Sequence, residues 1–179
     1  MSLAADAIHF GFVTTLEMEG LGLCGGMLLL NPVARPLEFH CTLPIKPTRS
    51  QEILYGPSLR PFLCGHVIAK ALLEKTKTSP QLVVTDCLDT ANVSECCELP
   101  LIYHAPEVSS SPAPGPLGEL WKPFQAGEQE IQIHWPAGDL PNNLKLTLER
   151  YGQRNDFAEP FERIRQAIME AHQVARKAA

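Results

Sequence analysis

Three acidic side chains in the middle of the chain could hold divalent cations. Glu52 falls in a predicted helix, and Asp86 and Asp89 follow the apolar run 82–84 directly. Nucleases gather carboxylates of this kind around two cations that activate water and stabilise the leaving oxygen. Glu52, Asp86 and Asp89 are therefore candidate catalytic acids. The structural alternative is that Asp86 and Asp89 form a turn by accepting hydrogen bonds from nearby backbone N–H groups.

The sulfur and imidazole side chains show no recognisable metal or nucleophile pattern. The chain has six cysteines and six histidines, without the doubly paired spacing of a structural zinc site. Cys64 and His66 lie two apart on a predicted helix and so point in opposite directions. There is no phosphate-binding loop and no nucleophile elbow. We predict no metal site, no cofactor and reduced thiols of a cytoplasmic protein. The residues that could come together around one metal ion are Cys87, Cys96, Cys97 and His104, but their spacing is irregular.

Two further motifs concern binding. Lys46, Arg49 and Arg60 form a basic stretch on proline-rich connections and could contact a phosphate or carboxylate. The glycines of the segment 20–25 match part of a dinucleotide-binding motif, but the chain reaches Asn31-Pro32 without room for the required helix. A glycine-rich turn leading into a buried strand is the better interpretation of that segment.

The elements that must position these residues begin with three strands. Alternating apolar residues predict a strand from Ile8 to about Met18, and a second, wholly buried strand follows over 21–30. A third alternation runs over 37–43. Short connections between consecutive strands predict an antiparallel meander.

The central part of the chain alternates between helix and strand signals. Thr48 and Gln51 predict a capping box for a short helix over 49–55. Ser58 then caps a longer, largely apolar helix that ends near Lys75. After it we predict the elements that follow: a strand over 82–84, a brief strand within 99–103, a mobile Pro/Ser-rich loop at about 106–118, and a second hairpin pairing 131–135 with 144–148.

The last segment is a long amphipathic helix. Phe157, Phe161, Ile164 and Ile168 recur at spacings of four and three, after a cap formed by Asp156 and Glu159. The apolar seam could cover the sheet within the same chain, which we favour, or form a dimer interface. Taken together, the elements predict a single α+β domain over residues 1–179, with a meander, a packed central helix, a second hairpin and a C-terminal helix.

Composition limits the function. The 179 residues carry 15 Lys and Arg against 20 Asp and Glu, a net charge of -5, and no apolar run approaches the length of a membrane span. A mildly acidic chain argues against a nucleic-acid partner. Our leading prediction is a non-catalytic protein-interaction or structural module with a protein partner or a homodimer. The first alternative is a metal-dependent phosphodiesterase, because the order of meander, helix and acid-terminated strand is similar to that of ribonuclease H-like nucleases. The second is a small anion-binding protein using Lys46, Arg49 and Arg60.

Overall fold

The computed structural model describes residues 8–106 and 118–178. In that part of the chain seven strands form one mixed sheet that is flanked by four helices. The strands are β1 Phe10–Met18, β2 Gly22–Leu30, β3 Pro36–Cys41, β4 Leu82–Thr85, β5 Leu101–Tyr103, β6 Lys122–Ala126 and β7 Gln129–His134. The helices are α1 Arg49–Tyr55, α2 over residues 59–75, α3 Asn142–Arg154 and α4 Glu159–Ala178. The prediction of a single α+β domain is confirmed.

The chain connections on the two sides of the β1–β4 boundary run towards opposite edges of the sheet. Its strand order is β3-β2-β1-β4-β5-β7-β6. β1, β2 and β3 form the predicted antiparallel meander, whereas β4 runs parallel to both β1 and β5. The chain leaves β1 towards one edge of the sheet and leaves β4 towards the other. Crevices that bind ligands typically lie at the carboxyl ends of strands at such a point.

Alternation along β1 divides the core into two layers. Phe10 and Phe12 are fully buried beneath α3 and α4, while Val13 is fully buried on the face covered by α2. The same alternation continues through the next residues of the strand, so neighbouring side chains there point to different sides of the sheet.

Two consecutive glycines in β2 let helices approach both faces of the sheet. A Cβ atom at Gly25 would lie 2.1 Å from Cγ2 of Ile68 in α2, and one at Gly26 would lie 2.5 Å from Cγ2 of Ile164 in α4. The glycine-rich segment therefore provides close helix–sheet packing, which agrees with its interpretation as the entry to a buried strand.

The central helix α2 is irregular where it crosses the sheet. Residues Phe62–Ala69 adopt a π-helical conformation between α-helical turns over Leu59–Pro61 and Lys70–Lys75. Such segments are rare and recur at functional sites. Upstream, Thr48 and Gln51 form the predicted capping box of α1. Ser58 does not cap α2 as predicted; its hydroxyl donates to the carbonyl of Tyr55 at 2.7 Å.

The predicted second hairpin is wrong in its second strand. β7 pairs with β6 and β5, while residues 144–148 belong to helix α3. Leu144, Leu148 and Tyr151 are buried at helical spacing, but Leu146, which the strand pattern required on the same face, is 51% exposed. Over only five residues, leucines at every second position are compatible with the period of a strand and with that of a helix. The burial of Tyr151 in the next turn identifies the helix.

The terminal helix agrees with its predicted seam. Phe157, Phe161, Ile164 and Ile168 are buried against the sheet, so the seam covers the core of its own chain. Asp156 accepts a hydrogen bond from the N–H of Ala158 at 2.8 Å, just before the helix. The predicted Pro/Ser-rich loop lies mostly outside the described residues. None of the described helices combines the length and apolarity needed to span a membrane.

Candidate active site at the carboxyl ends of two parallel strands

β1 continues beyond the end of β4 and presents two threonines there. The last paired residues of the two strands are Val13 and Thr85, so Thr14 and Thr15 lie alongside the chain that leaves β4. Since consecutive strand residues point to opposite faces, the two hydroxyls address different clusters.

On the α4 face, Thr14 meets the acid that follows β4. The Thr14 hydroxyl donates to Oδ1 of Asp86 at 2.7 Å, and the Arg165 guanidinium of α4 donates to Oδ2 of the same carboxylate. The side chain of Asp86 is only 7% exposed, whereas that of Arg165 is 42% exposed. Both carboxylate oxygens are thus engaged by the protein.

A cavity of about 580 Å³ opens beside this ion pair. Its lining combines four carboxylates with one imidazole and one guanidinium. The lining residues are Asp86, His104, Pro106, Asp156, Ala158, Glu159, Phe161, Glu162 and Arg165. Glu159 also pairs with Arg163 at 2.8 Å, so part of this acidic charge is already neutralised.

On the α2 face, Thr15 meets two cysteines. Its hydroxyl lies 3.5 Å from Sγ of Cys64, in the π-helical segment, and 3.3 Å from Sγ of Cys87, which follows β4. Asp89 completes the group from the 3₁₀ segment Leu88–Glu95. The two sulfurs and one Asp89 oxygen all lie within 4.8 Å of one another. No spacing in the sequence predicts this convergence.

The pKa values of Cys64 and Cys87 are shifted in opposite directions. Hydrogen bonds from Cys64, and to a lesser extent from Thr15 and Thr90, together lower the pKa of Cys87 to about 6 against the opposing effect of burial. The same hydrogen bond, together with burial, raises the pKa of Cys64. Cys87 is therefore the sulfur that carries negative charge near neutral pH.

Arg60 joins this cluster to a neighbouring pocket. Its Nε donates to Oδ2 of Asp89 at 2.9 Å, and its Nη1 lies 3.3 Å from Oε2 of Glu17. Burial opposes the charge of Arg60, but the sulfur of Cys64 and the carboxylate of Asp89 outweigh it, so the pKa of Arg60 is raised. The pocket has a volume of about 300 Å³. It is lined by Glu17, Gly22, Leu23, Pro47, Gly56, Pro57, Leu59, Arg60 and Leu63.

The wall of this pocket depends on a close backbone contact. Gly22, at φ +101°, packs where a Cβ atom would lie 2.2 Å from the carbonyl oxygen of Ile45. Leu23 and Ile45 then exchange two backbone hydrogen bonds, of 2.9 and 2.6 Å. This bridge fixes the connection that leads into α1 against the start of β2.

The structure brings some of the predicted site residues together and leaves others apart. Asp89 and Arg60 contact each other, and Asp86 lies on the opposite face of the same sheet end. Glu52 is on α1, where it pairs with Arg49 at 3.0 Å in an exposed position. The anion-binding role of Lys46 stays a prediction.

Sequence reasoning missed Cys64 and Thr15. Cys64 and Cys87 are 23 residues apart and come from a helix and a strand end, so no local spacing connects them. The two adjacent threonines at the end of an apolar strand were the available signal, since polar side chains there must find partners on both faces. The helix irregularity over Phe62–Ala69 has no simple sequence mark.

The carboxylate set that we predicted does not fit a pair of magnesium ions. Among residues 8–106 and 118–178, the only group of three or more His, Cys, Asp or Glu ligand atoms within 4.8 Å of one another is Cys64, Cys87 and Asp89. Magnesium prefers oxygen ligands in octahedral geometry, and two of these three ligands are sulfur. Asp86, the most buried of the predicted acids, is held by Arg165.

The fold is similar to that of endonuclease V structures. A cysteine-substituted catalytic domain of human endonuclease V aligns over 97% of this chain and 85% of its own, at 14% identity and a TM-score of 0.50. Human endonuclease V aligns over 99% of this chain and 88% of its own, at 15% identity and a TM-score of 0.47. Ciona intestinalis endonuclease V, bound to inosine-containing DNA, aligns over 94% of this chain and 88% of its own, at 14% identity and a TM-score of 0.49. No protein-family model and no curated protein matches the sequence.

The likeness to the endonuclease V catalytic domain overturns two predictions. A non-catalytic protein-interaction or structural module is wrong as the leading prediction, because the fold is similar to that of an endonuclease catalytic domain. The prediction against a nucleic-acid partner is wrong as well, because the fold is similar to that of the catalytic domain of an endonuclease. That prediction used the charge of the whole chain, which does not describe the local charge of a binding site. The nuclease alternative agrees better with the fold.

Proposed function

We propose that this chain is a nucleic-acid phosphodiesterase whose reacting phosphate binds at the carboxyl ends of β1 and β4. The observation that carries the proposal is the position of Arg60, Asp89 and the two cysteines. They lie at the point where the sheet changes its direction of connection, in a fold shared with an endonuclease V catalytic domain.

Arg60 is the group that binds the phosphate. Its guanidinium is 47% exposed and is oriented by Asp89 and Glu17, so N–H groups remain for an incoming oxygen. Planar guanidinium groups form paired hydrogen bonds with phosphate oxygens, and the charge stabilises the additional negative charge of the transition state.

The neighbouring pocket holds a nucleoside of the substrate. Its volume of about 300 Å³ and its mainly apolar lining of Leu23, Pro57 and Leu63 suit the flat face of a base. Arg60 lines the pocket and also contacts Asp89, so a base in the pocket places its attached phosphate beside the polar cluster. Enzymes that act on one nucleotide commonly hold the base in such a recess.

The chemical step is hydrolysis. A water oxygen forms a bond to phosphorus while the bond from phosphorus to the leaving sugar oxygen breaks. Asp89, whose side chain is 30% exposed, orients the attacking water, whose proton passes to solvent, and solvent protonates the leaving oxygen. Arg60 stabilises the charge on the phosphate oxygens during this step.

End-labelled oligonucleotides test the proposal. Single-stranded and duplex DNA and RNA, each with and without one inosine, are incubated with the protein in Mg²⁺, Mn²⁺ or Zn²⁺ and separated on denaturing gels. Inosine is included because neighbouring structures were determined with inosine-containing DNA. We expect cleavage of at least one substrate, with a rate on the order of 100-fold lower in Asp89→Asn and a raised KM in Arg60→Ala.

Two matched variants control for general damage. Asp139→Asn alters an exposed acid paired with Lys122, and Arg150→Ala alters an exposed arginine of α3. Both are expected to cleave as the wild type does. Absence of cleavage under every condition, or cleavage that survives Asp89→Asn and Arg60→Ala together, would contradict the proposal.

The cytoplasm is the location that we propose. All six cysteines are free thiols in the structure, which supports a reducing compartment.

A further inference from the structure

The cluster on the α2 face has the composition of a soft-metal site. Cys64 Sγ, Cys87 Sγ and an Asp89 oxygen lie within 4.8 Å of one another and come from two parts of the chain, helix α2 and the segment that follows β4. Cys64 is fully buried, and Asp89 is 30% exposed on its side chain, so the group opens to solvent on the Asp89 side.

We propose that Cys64, Cys87 and Asp89 bind one thiophilic divalent cation, with zinc as the typical example, and leave one coordination position open. Thiolate sulfur selects zinc over magnesium or calcium, and carboxylate oxygen is a regular third ligand. Three protein ligands with a fourth position for water or substrate are the arrangement of catalytic rather than structural zinc sites.

The spacing of the ligand atoms suits this ion. With zinc–sulfur bonds of about 2.3 Å, tetrahedral ligands lie about 3.7 Å apart. The separations of up to 4.8 Å in the structure close to that value by side-chain rotation and small backbone shifts. The hydroxyl of Thr15 already contacts both sulfurs from beneath, as groups that orient metal ligands do.

The charges around the cluster favour a divalent cation. Two thiolates and one carboxylate carry three negative charges, and Arg60 supplies one positive charge beside Asp89. A divalent cation brings the group to neutrality, and any proton still held by the thiols is released to solvent.

Backbone packing holds the cysteines together. Gly65 follows Cys64 and packs against the 3₁₀ segment, where a Cβ atom would lie 2.6 Å from Cβ of Asn92. This contact fixes α2 against the segment that carries Cys87 and Asp89. The ligands are thus positioned by buried elements rather than by surface loops.

Metal titration of the reduced full-length protein tests the site. With TCEP present, apo protein is titrated with Zn²⁺ against a chromogenic chelator and, separately, with Co²⁺ while sulfur-to-cobalt charge-transfer absorption is recorded. We expect one equivalent of metal, the charge-transfer band, and a rise in Tm on binding. Cys64→Ser, Cys87→Ser and Asp89→Asn should each weaken binding at least about tenfold, and Thr15→Val by about 10-fold to 100-fold.

Cys41→Ser is the matched control, because Cys41 is an exposed thiol on β3. It should bind metal as the wild type does. A wild type that binds no stoichiometric zinc or cobalt, or binding unchanged in Cys64→Ser and Cys87→Ser, overturns the proposal.

A second measurement covers the case in which a cysteine variant fails to fold. In the wild type, alkylation of Cys87 by iodoacetamide, followed by peptide mass spectrometry, should slow in the presence of Zn²⁺, while Cys41 alkylation should not change. Equal rates with and without zinc overturn the site. Neither readout involves nucleic acid, so a chain that binds zinc without cleaving any strand overturns the proposed function alone.

Discussion

At the scale of single residues, Thr14 and Thr15 determine the chemistry of the sheet end. Strand alternation directs one hydroxyl to Asp86 and the other to the two cysteines. The alternation could be predicted from the sequence, but the partners could not. They come from residues 49 to 72 positions away along the chain, and only the packed sheet defines those distances.

The ion pair of Asp86 is expected to contribute to stability. Arg165→Ala leaves a 7% exposed carboxylate with Thr14 as its remaining described donor, which should cost about 1–3 kcal/mol of unfolding free energy. Arg163→Ala is the matched control, because it removes an i,i+4 pair with Glu159 that is worth about 0.3–0.5 kcal/mol. Urea unfolding at pH 7 measures both. Equal losses of unfolding free energy in the two variants would show that the burial of Asp86 does not make its ion pair with Arg165 more stabilising than an exposed pair.

Glu38 makes part of the stability depend on pH. A hydrogen bond with His40 and the backbone N–H groups of Lys77 and Thr78 lower the pKa of Glu38 from 4.5 to about 2. Since the folded-state pKa lies below the unfolded one, this stabilisation is complete above about pH 4.5 and is lost as the pH falls towards 2.

Glu38→Gln tests this dependence. Its urea midpoint should lie below that of the wild type at pH 7, and the difference should shrink steadily from pH 4.5 to pH 2. Glu130→Gln is a control at an exposed position of β7 and should show no such convergence. If the urea midpoint of the wild type exceeded that of Glu38→Gln by the same amount across this pH range, the charge of Glu38 would not be the cause of the difference in stability.

At the scale of elements, the contact between α2 and the 3₁₀ segment brings the cysteines together. Gly65→Ala places a methyl group 2.8 Å from backbone atoms of Asn92 and Val93, which cannot move as a flexible side chain would. We expect a loss of about 1–3 kcal/mol from overpacking and weaker zinc binding. Lys70→Ala, at an exposed position of the same helix, should stay within about 0.5 kcal/mol of the wild type. Chemical denaturation and the zinc titration check both variants, and unchanged metal affinity in Gly65→Ala would contradict this role of the contact.

The elements with a long, consistent period could be predicted from the sequence. The meander, α1 with its cap, and α4 with its seam agree with the structure. The second hairpin failed because five residues of alternating leucine satisfy the period of a strand and of a helix. The π-helical segment of α2 could not be predicted either, because its apolar residues carry no distinct spacing.

At the scale of the whole molecule, the net charge of the chain does not describe the local charge of the candidate site. A net charge of -5 argues against nucleic acid, yet Arg60 and Arg165 lie at the two faces of the same sheet end. Long-range proximity, rather than composition, defines the candidate site. Asp86 and Asp89 could be predicted as strand-end acids, whereas Cys64 required the fold.

The most direct test is to find where nucleic acid contacts the protein. An oligonucleotide carrying photoreactive bases is cross-linked to the wild-type protein, and the modified peptides are identified by mass spectrometry. We expect cross-links in peptides that contain residues 55–64 and 86–90, which surround Arg60 and Asp89. Cross-links confined to peptides of β6, β7 and α3 would contradict the assignment of the active site to the carboxyl ends of β1 and β4.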